Sequence, residues 1–248
     1  MKQAFAGSRP LRLDRLDLPH SWRLLVLAPH PDDFESAGVT LLHFQERGHR
    51  LDLLVLSSSA NGVEDSFCDP PTADVKAALR EEEQRAGCRF FGLPEDRFEF
   101  LRLRVTWPGG YMADDEENFG RLERAFAAVG PDLVVLPHGR DTNSDHRLTY
   151  RWWRRLAARS PRPMAALLFR DPKTLDMRDD IVLPFDAERA VWKGELLRFH
   201  RSQHRRNLNA RGHGFDERVL RVNRASAAKL GIAEPYAEAF ELEITRSS

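Results

Sequence analysis

The sequence predicts an α/β protein whose mostly parallel sheet is covered by helices on both faces. Short apolar runs alternate with helical patterns through roughly the first 170 residues, an order typical of parallel strands joined by crossover helices. The runs are apolar at nearly every position, as in strands that are buried on both sides. Because the 248 residues are 42% hydrophobic, we expect one large domain over residues 1–248.

Five buried strands are expected in this part of the chain. The first, at residues 23–28, ends before Pro29 and Pro31, which lack the backbone N–H that a paired strand needs. The other four are short runs rich in Leu, Val, Ala or Phe. They lie at residues 51–56, 98–103, 133–137 and 165–169.

Helical patterns separate these strands, at residues 35–46, 72–91, 114–129 and 145–159. Gly48 is a stop signal for the first helix. Thr72 or Asp74 provides a cap for the second helix, and Gly92 ends it. The third helix begins with an acidic turn, which the helix dipole favours.

The last third of the chain departs from the alternation and predicts an appended α/β segment. This segment, at about residues 171–248, is expected to pack on the core. Helices at 186–200 and 216–230 flank a basic loop at 202–214. Residues 236–244 alternate between polar and apolar side chains, which predicts an exposed or edge strand.

Composition excludes several classes of function. Lys plus Arg and Asp plus Glu both number 38, so no net field attracts nucleic acid or an anionic membrane. Cys68 and Cys88 show no metal-binding or disulfide spacing. Residues 1–20 lack an apolar leader, and no apolar run reaches about 18 residues. We expect a cytoplasmic protein with a small-molecule partner, with neither nucleic acid nor membrane as partner; a homo-oligomer is compatible with the sequence.

Two segments concentrate metal-ligating side chains directly after predicted strands. His30, Asp32 and Asp33 follow the first strand, and Asp145 and His146 follow the strand at 133–137. Ligands of such sheets bind at the carboxyl ends of the strands. If these two strands are neighbours, His146 completes a ligand set with His30 and Asp33.

Two histidines and one carboxylate form a ligand set of catalytic zinc that leaves a position for water, and the same set suits ferrous iron. Asp32, beside the set, is the candidate base for that water. The structural alternative is an ordinary turn with an Asp helix cap. A dinucleotide site is disfavoured, because Pro29 and Pro31 stand where its glycines would be.

The motifs resemble those of the LmbE-like or PIG-L-type N-acetylglucosaminyl deacetylases. The family signature is similar to His30-Pro31-Asp32-Asp33 and to the later Asp145-His146 pair. Further elements lie in the same order along nearly the whole chain. They are the Arg80, Glu83 and Ala86 helix pattern, the His-x-Ser-Gln element at 200–203 and the Tyr-Ala-Glu-x-Phe element at 236–240.

The resemblance implies a Rossmann-like three-layer sandwich and zinc bound by His30, Asp33 and His146. It also implies that Asp32 is the general base in removing an N-acetyl group from an amino sugar or its conjugate. Arg80 and His200 are then candidate substrate contacts. The alternatives are a helix salt bridge for Arg80 and, for His200, a contact that pins the C-terminal segment to the core.

One departure from the family pattern concerns the proton donor. Asn143 stands where the family often has a histidine, and an amide can donate a hydrogen bond to an oxyanion but not a proton. His138, His200 and Tyr150 are unranked candidates for the acid. Asp145 is expected to orient Asn143 or His146. The alternative function is a catalytically impaired relative that binds a glycan or glycosylated ligand.

Overall fold

The computed structural model describes residues 4–19, 21–107 and 110–245. Its centre is an eight-stranded sheet in the order β1-β7-β8-β6-β5-β2-β3-β4. All neighbouring strands are parallel except β8, which runs antiparallel to both of its neighbours. The strands are β1 Leu11–Arg12, β2 Arg23–Ala28, β3 Arg50–Val55, β4 Phe98–Phe100, β5 Leu133–Pro137, β6 Ala165–Phe169, β7 Ile181–Phe185 and β8 Tyr236–Ile244.

Helices cover both faces of this sheet, which confirms the predicted fold class. Alternate residues of β2 enter two separate apolar cores, Leu24 and Val26 on one face and Leu25 and Leu27 on the other. Helices α4 and α5 pack on the second face, and the other long helices pack mainly on the first or beyond it. The helices are α1 Asp33–Ser36, α2 Gly38–Glu46, α3 Ala73–Phe91, α4 Glu116–Val129, α5 Ser144–Ala158, α6 Ala187–Arg198, α7 Arg201–Arg211 and α8 Phe215–Lys229.

Two predicted boundaries shift locally. The helix expected at 35–46 is interrupted at Ala37, which separates α1 from α2. The strand expected at 98–103 ends at Phe100, two residues before Arg102 adopts a positive φ of 47°. None of the helices within the described residues is long and apolar enough to cross a membrane.

Strand β8 is an interior strand, and the prediction of an exposed or edge strand at 236–244 was wrong. It pairs with β6 on one side and β7 on the other. Two of its acidic residues are buried and have partners: Glu238 accepts a hydrogen bond from Lys193, and Glu241 lies 3.2 Å from His138 Nε2. Alternation along β8 therefore reflects buried polar contacts rather than solvent.

The basic loop predicted at 202–214 is largely helix α7, which ends only at Gly212 with a φ of 71°. The buried face of α7 consists of Ser202, Gln203 and Asn207, so the apolar periodicity that announces most helices is missing. Strands β1 and β7 were also not predicted. β1 has only two residues and lies at the edge of the sheet.

Candidate metal centre

The predicted ligands meet at the carboxyl ends of β2 and β5. These strands are parallel neighbours, with Leu24 opposite Leu133, so the adjacency that the sequence required is present. His30 and Asp33 lie in the turn after β2 and at the start of α1. His146 is the third residue of α5.

Asp33 lies between two imidazole rings. Its Oδ2 is 3.2 Å from His30 Nδ1, and its Oδ1 is 3.3 Å from His146 Nε2. The ligand atoms of the three residues lie within 4.8 Å of one another, and all three side chains are buried. Two nitrogens and a carboxylate thus converge on one point, as a divalent cation requires.

Each imidazole is also held from behind by a second carboxylate. His30 Nε2 lies 3.0 Å from Asp145 Oδ2, and His146 Nδ1 lies 3.2 Å from Asp141 Oδ2. A proton on each of these outer nitrogens leaves the nitrogen that faces Asp33 free to bind a cation; this tautomer is assigned from the network. The residues present therefore fit a zinc-type ion.

The outer carboxylates were only partly anticipated. Asp145 orients His30, whereas the sequence suggested Asn143 or His146 as its partner. Its other oxygen accepts a hydrogen bond from the Met112 backbone at 3.0 Å. Asp141 was missed, although it stands five residues before His146 in the motif-bearing segment.

Electrostatics within the cluster favour charged side chains. Burial alone would raise the pKa of Asp33, but His146 and His30 outweigh it, and the pKa lies well below its ordinary range. Burial likewise opposes protonation of His146, yet Asp33 and Asp141 raise its pKa well above the usual value. A binding cation would replace these protons as the partner of Asp33.

Asp32 has a left-handed backbone, with a φ of 104°, which is costly for a residue with a side chain. Two side chains of α3 hold it there. The Asp32 N–H donates to Gln84 Oε1 at 3.0 Å, and Arg80 contacts Asp32 Oδ2 through both terminal nitrogens at 3.2 and 3.3 Å. The Asp32 carboxylate borders the cavity beside the cluster.

Arg80 is 1% exposed and is engaged by Asp32 and by the Pro31 carbonyl. Its guanidinium fixes the turn that carries Asp32. Because Arg80 also lines the cavity, its contact with substrate stays a prediction. The salt-bridge alternative is closer to what is observed, although the partner lies outside its own helix.

His200 is fully buried and is not among the residues that line the cavity; its contact with substrate stays a prediction. Its Nε2 lies 3.0 Å from Glu35 Oε1, and Gln84 Nε2 donates to the same oxygen at 2.8 Å. His200 thus joins the start of α7 to α1 and α3. It lies behind the turn of Asp32 and not in the cavity.

Asn143 borders the cavity and caps α5. Its Oδ1 accepts a hydrogen bond from the Asp145 N–H at 2.9 Å, which leaves the amide nitrogen as the available donor. His138 contacts Glu241, and the Tyr150 hydroxyl donates to Glu243 at 2.6 Å. Neither residue borders this cavity, so no candidate acid from the sequence lies beside the cluster.

The cavity has a volume of about 200 Å³ and a strongly polar lining. Its floor carries the His30, Asp33 and His146 cluster. Loops after the strands and helices α7 and α8 supply the walls. Four wall residues are cationic and form no ion pair within the described part of the chain: Lys173, Arg206, Arg211 and Arg218.

The protein thus belongs to a class of α/β proteins with a candidate metal centre at the carboxyl ends of the strands. Its two histidines and one carboxylate are a ligand set of catalytic, hydrolytic metal ions. The family model described as PIG-L, GlcNAc-PI de-N-acetylase, matches residues 25–157. That range holds both motifs and more than half of the sequence. The chain belongs to this family.

Solved structures with the same fold include two deacetylases and a hydratase. N,N'-diacetylchitobiose deacetylase from Pyrococcus horikoshii is 18% identical with a TM-score of 0.72, and the match covers 89% of this chain and 83% of the deacetylase. The zinc-inhibited form of teicoplanin deacetylase Orf2 is 15% identical with a TM-score of 0.67, and the match covers 91% of this chain and 100% of Orf2.

The third structure is GalB, the 4-carboxy-2-hydroxymuconate hydratase from Pseudomonas putida. It is 20% identical with a TM-score of 0.69, covering 93% of this chain and 98% of its own. No curated protein matches the chain by sequence. At these identities the structures establish the shared fold.

Proposed function

We propose that the protein is a zinc-dependent hydrolase that removes an N-acetyl or other N-acyl group from an amino sugar or sugar-containing conjugate. The observation that carries this proposal is the convergence of His30, Asp33 and His146 beside Asp32. Membership of the PIG-L family supports the amide as substrate. A cytoplasmic location remains part of the proposal.

His30, Asp33 and His146 would hold the ion. When bound, it supplies Lewis-acid chemistry that polarises a carbonyl and makes water a nucleophile near neutral pH. Ferrous iron suits the same ligands. Asp141 and Asp145 keep the two imidazoles in the tautomer and orientation that binding needs.

Asp32 is proposed as the base. Both contacts from Arg80 go to Oδ2, so Oδ1 remains to accept a proton from the attacking water. The strained backbone of Asp32 is held by Gln84 and Arg80, which lie outside the turn. General base catalysis by a positioned carboxylate contributes about 10²–10⁴-fold.

Asp32 is also the proposed donor of the proton that the departing amine needs. His138, His200 and Tyr150 are engaged elsewhere, whereas the proton received by Asp32 is already in the cavity. Asn143 is proposed to donate a hydrogen bond from its amide nitrogen to the carbonyl oxygen as negative charge develops there. Water and amide thus give a carboxylic acid and an amine, which ionise to a carboxylate and an ammonium ion, with no further proton donor.

A second candidate is addition of water to a carbon–carbon double bond of an unsaturated carboxylate. The observation that favours it is the set of unpaired cations around the cavity, which suits a substrate with several carboxylates. GalB, which shares the fold, is described as such a hydratase. A polarising ion and a carboxylate base would serve this reaction too.

One experiment separates these candidates. Protein loaded with zinc is incubated with a panel of N-acetylated sugars and glycoconjugates, and the released acetate and amine are quantified. In a second assay, hydration of a dienoic tricarboxylate is followed by the loss of its ultraviolet absorbance.

We expect the protein to release acetate. The rate of release should fall about 10²-fold or more in Asp32→Asn and stay normal in the exposed control Asp96→Asn. Hydration without acetate release would replace the deacetylase proposal, and zinc binding with neither reaction would favour a glycan-binding role.

A further inference from the structure

The four unpaired cations of the cavity wall form what we call the cationic rim: Lys173, Arg206, Arg211 and Arg218. Acidic and basic residues are equal in number in the chain, so the rim is a local excess. Neighbouring arginines show the contrast. Arg198 pairs with Asp216 at 2.7 Å, and Arg221 pairs with Glu217 at 3.1 Å.

Arg206 and Arg211 are exposed members of the rim, whereas Lys173 and Arg218 are partly buried. Burial lowers the pKa of Arg218; Asp171 opposes this effect and the charge of Arg211 adds to it. No carboxylate lies within ion-pair distance of Arg211 or Arg218 in the described residues. Two like charges kept close, one of them partly desolvated, are unfavourable unless an anion joins them.

The positions of these two arginines are fixed by the fold. Arg211 is the last residue of α7, and Arg218 lies in the first turns of α8. The helices meet where His204 Nδ1 lies 3.2 Å from Asp216 Oδ1. The fold thus places both arginines at the wall of the cavity.

We propose that the substrate carries an anionic group, a phosphate or a carboxylate, which binds between Arg211 and Arg218 while its amide lies at the metal cluster. This inference rests on the proposed function for the identity of the amide. Guanidinium groups bind both kinds of anion through paired hydrogen bonds. Arg206 and Lys173 complete the positive wall, and the carboxylates of Asp32, Asp33, Asp145 and Asp171 also line the cavity.

Binding, measured without turnover, tests the proposal. Zinc-free protein is titrated in a calorimeter with N-acetylglucosamine 1-phosphate, with N-acetylmuramic acid, and with the neutral methyl glycoside of N-acetylglucosamine. We expect at least one charged sugar to bind about tenfold more tightly than the neutral one. Raising the salt concentration is expected to weaken only the charged sugars. The preferred probe shows whether the site takes a phosphate or a carboxylate.

Variants of the cationic rim test whether its arginines cause the tighter binding of charged sugars. Arg211→Gln and Arg218→Gln are expected to reduce the roughly tenfold preference to about one, whereas Arg218→Lys keeps part of it. The matched control is Arg205→Gln, since Arg205 is an exposed residue of the same helix that does not line the cavity. Equal binding of neutral and charged sugars, or an equal loss in the control, would overturn the inference.

The outcomes distinguish this inference from the proposed function. Acetate release without a charge preference would leave the deacetylase standing and remove the anionic site. A charge preference that depends on Arg211 and Arg218, without hydrolysis of any amide, would retain the site and remove the deacetylase.

Discussion

Asp141 Oδ2 lies 3.2 Å from His146 Nδ1, and the other oxygen of Asp141 accepts a hydrogen bond from the Asn143 backbone at 2.6 Å. One buried carboxylate thus orients a candidate metal ligand and shapes the turn that begins α5. The same helix start also carries Asp145, which orients His30. Two of the three candidate ligands therefore depend on acids within five residues of each other.

Asp141→Asn is expected to weaken zinc binding about 10–100-fold, the usual effect of removing a partner behind a metal-bound histidine. His146 and the Asn143 N–H contact different oxygens of Asp141, and an amide places an NH2 donor in front of one of them. Competition with a chromogenic zinc chelator measures the change. The control is Asp176→Asn, at an exposed residue paired with Arg140, which should bind zinc normally; unchanged affinity in Asp141→Asn would contradict the role of Asp141.

Asn143→Asp separates the two roles of Asn143. A carboxylate still caps α5, because Asp is as good an N-cap as Asn, so the free energy of unfolding should change by less than about 0.5 kcal/mol. The amide donor is lost, and kcat for acetate release should fall about 10²–10³-fold. Chemical denaturation and steady-state kinetics give the two values. Normal kcat with normal stability would remove Asn143 from the mechanism.

The contact between His200 and Glu35 predicts a pH-dependent contribution to stability. Burial lowers the pKa of His200, but Glu35 outweighs it and the net pKa is raised. Because the pKa of His200 is higher in the folded than in the unfolded protein, the contact stabilises the folded state. This contribution is complete at pH values below the unfolded pKa of about 6.5 and is lost as the pH rises through the folded pKa. The melting temperature of the metal-free protein should therefore exceed that of His200→Gln most at low pH, with a gap that narrows toward high pH. A difference in melting temperature that widens as the pH rises would show that the pKa of His200 is lowered rather than raised.

Lys193 is a buried cation whose loss should be costly. Its Nζ lies 2.6 Å from Glu238 and 2.7 Å from the Ser36 carbonyl, while Glu238 also accepts hydrogen bonds from the first turn of α2. Lys193→Met leaves the Glu238 charge without its cation and should reduce the free energy of unfolding by about 3–5 kcal/mol. The control Lys229→Met removes a largely exposed cation and should cost at most about 1 kcal/mol. Urea denaturation of both variants makes the comparison.

Much of the sheet could be predicted because its central strands are buried on both faces and read as continuous apolar runs. β8 could not be assigned to the interior, since burial of Glu238 depends on Lys193, 45 residues away, and burial of Glu241 on His138, 103 residues away. Helix α7 was hidden for a related reason, because the side chains on its buried face are polar.

The candidate ligands could be predicted because His30, Asp33 and His146 lie in short segments that follow adjacent strands. The surroundings could not. The sequence offered either a substrate contact or a helix salt bridge for Arg80, and only its position in space shows that its guanidinium meets Asp32. The cationic rim brings together Lys173, two arginines of α7 and one of α8, which no local pattern connects.

The place of β8 in the sheet has a consequence for how the protein is made. Among the described residues, β1 pairs only with β7, and β7 reaches the rest of the sheet only through β8. These two strands therefore cannot join the rest of the sheet until β8, which lies later in the chain, has been synthesised. Until then β6 presents an open edge next to the strands of the metal centre, and such an edge invites pairing with other nascent chains. Truncation before Tyr236 should thus show itself as aggregation during synthesis, even though the residues of the candidate site would all be present.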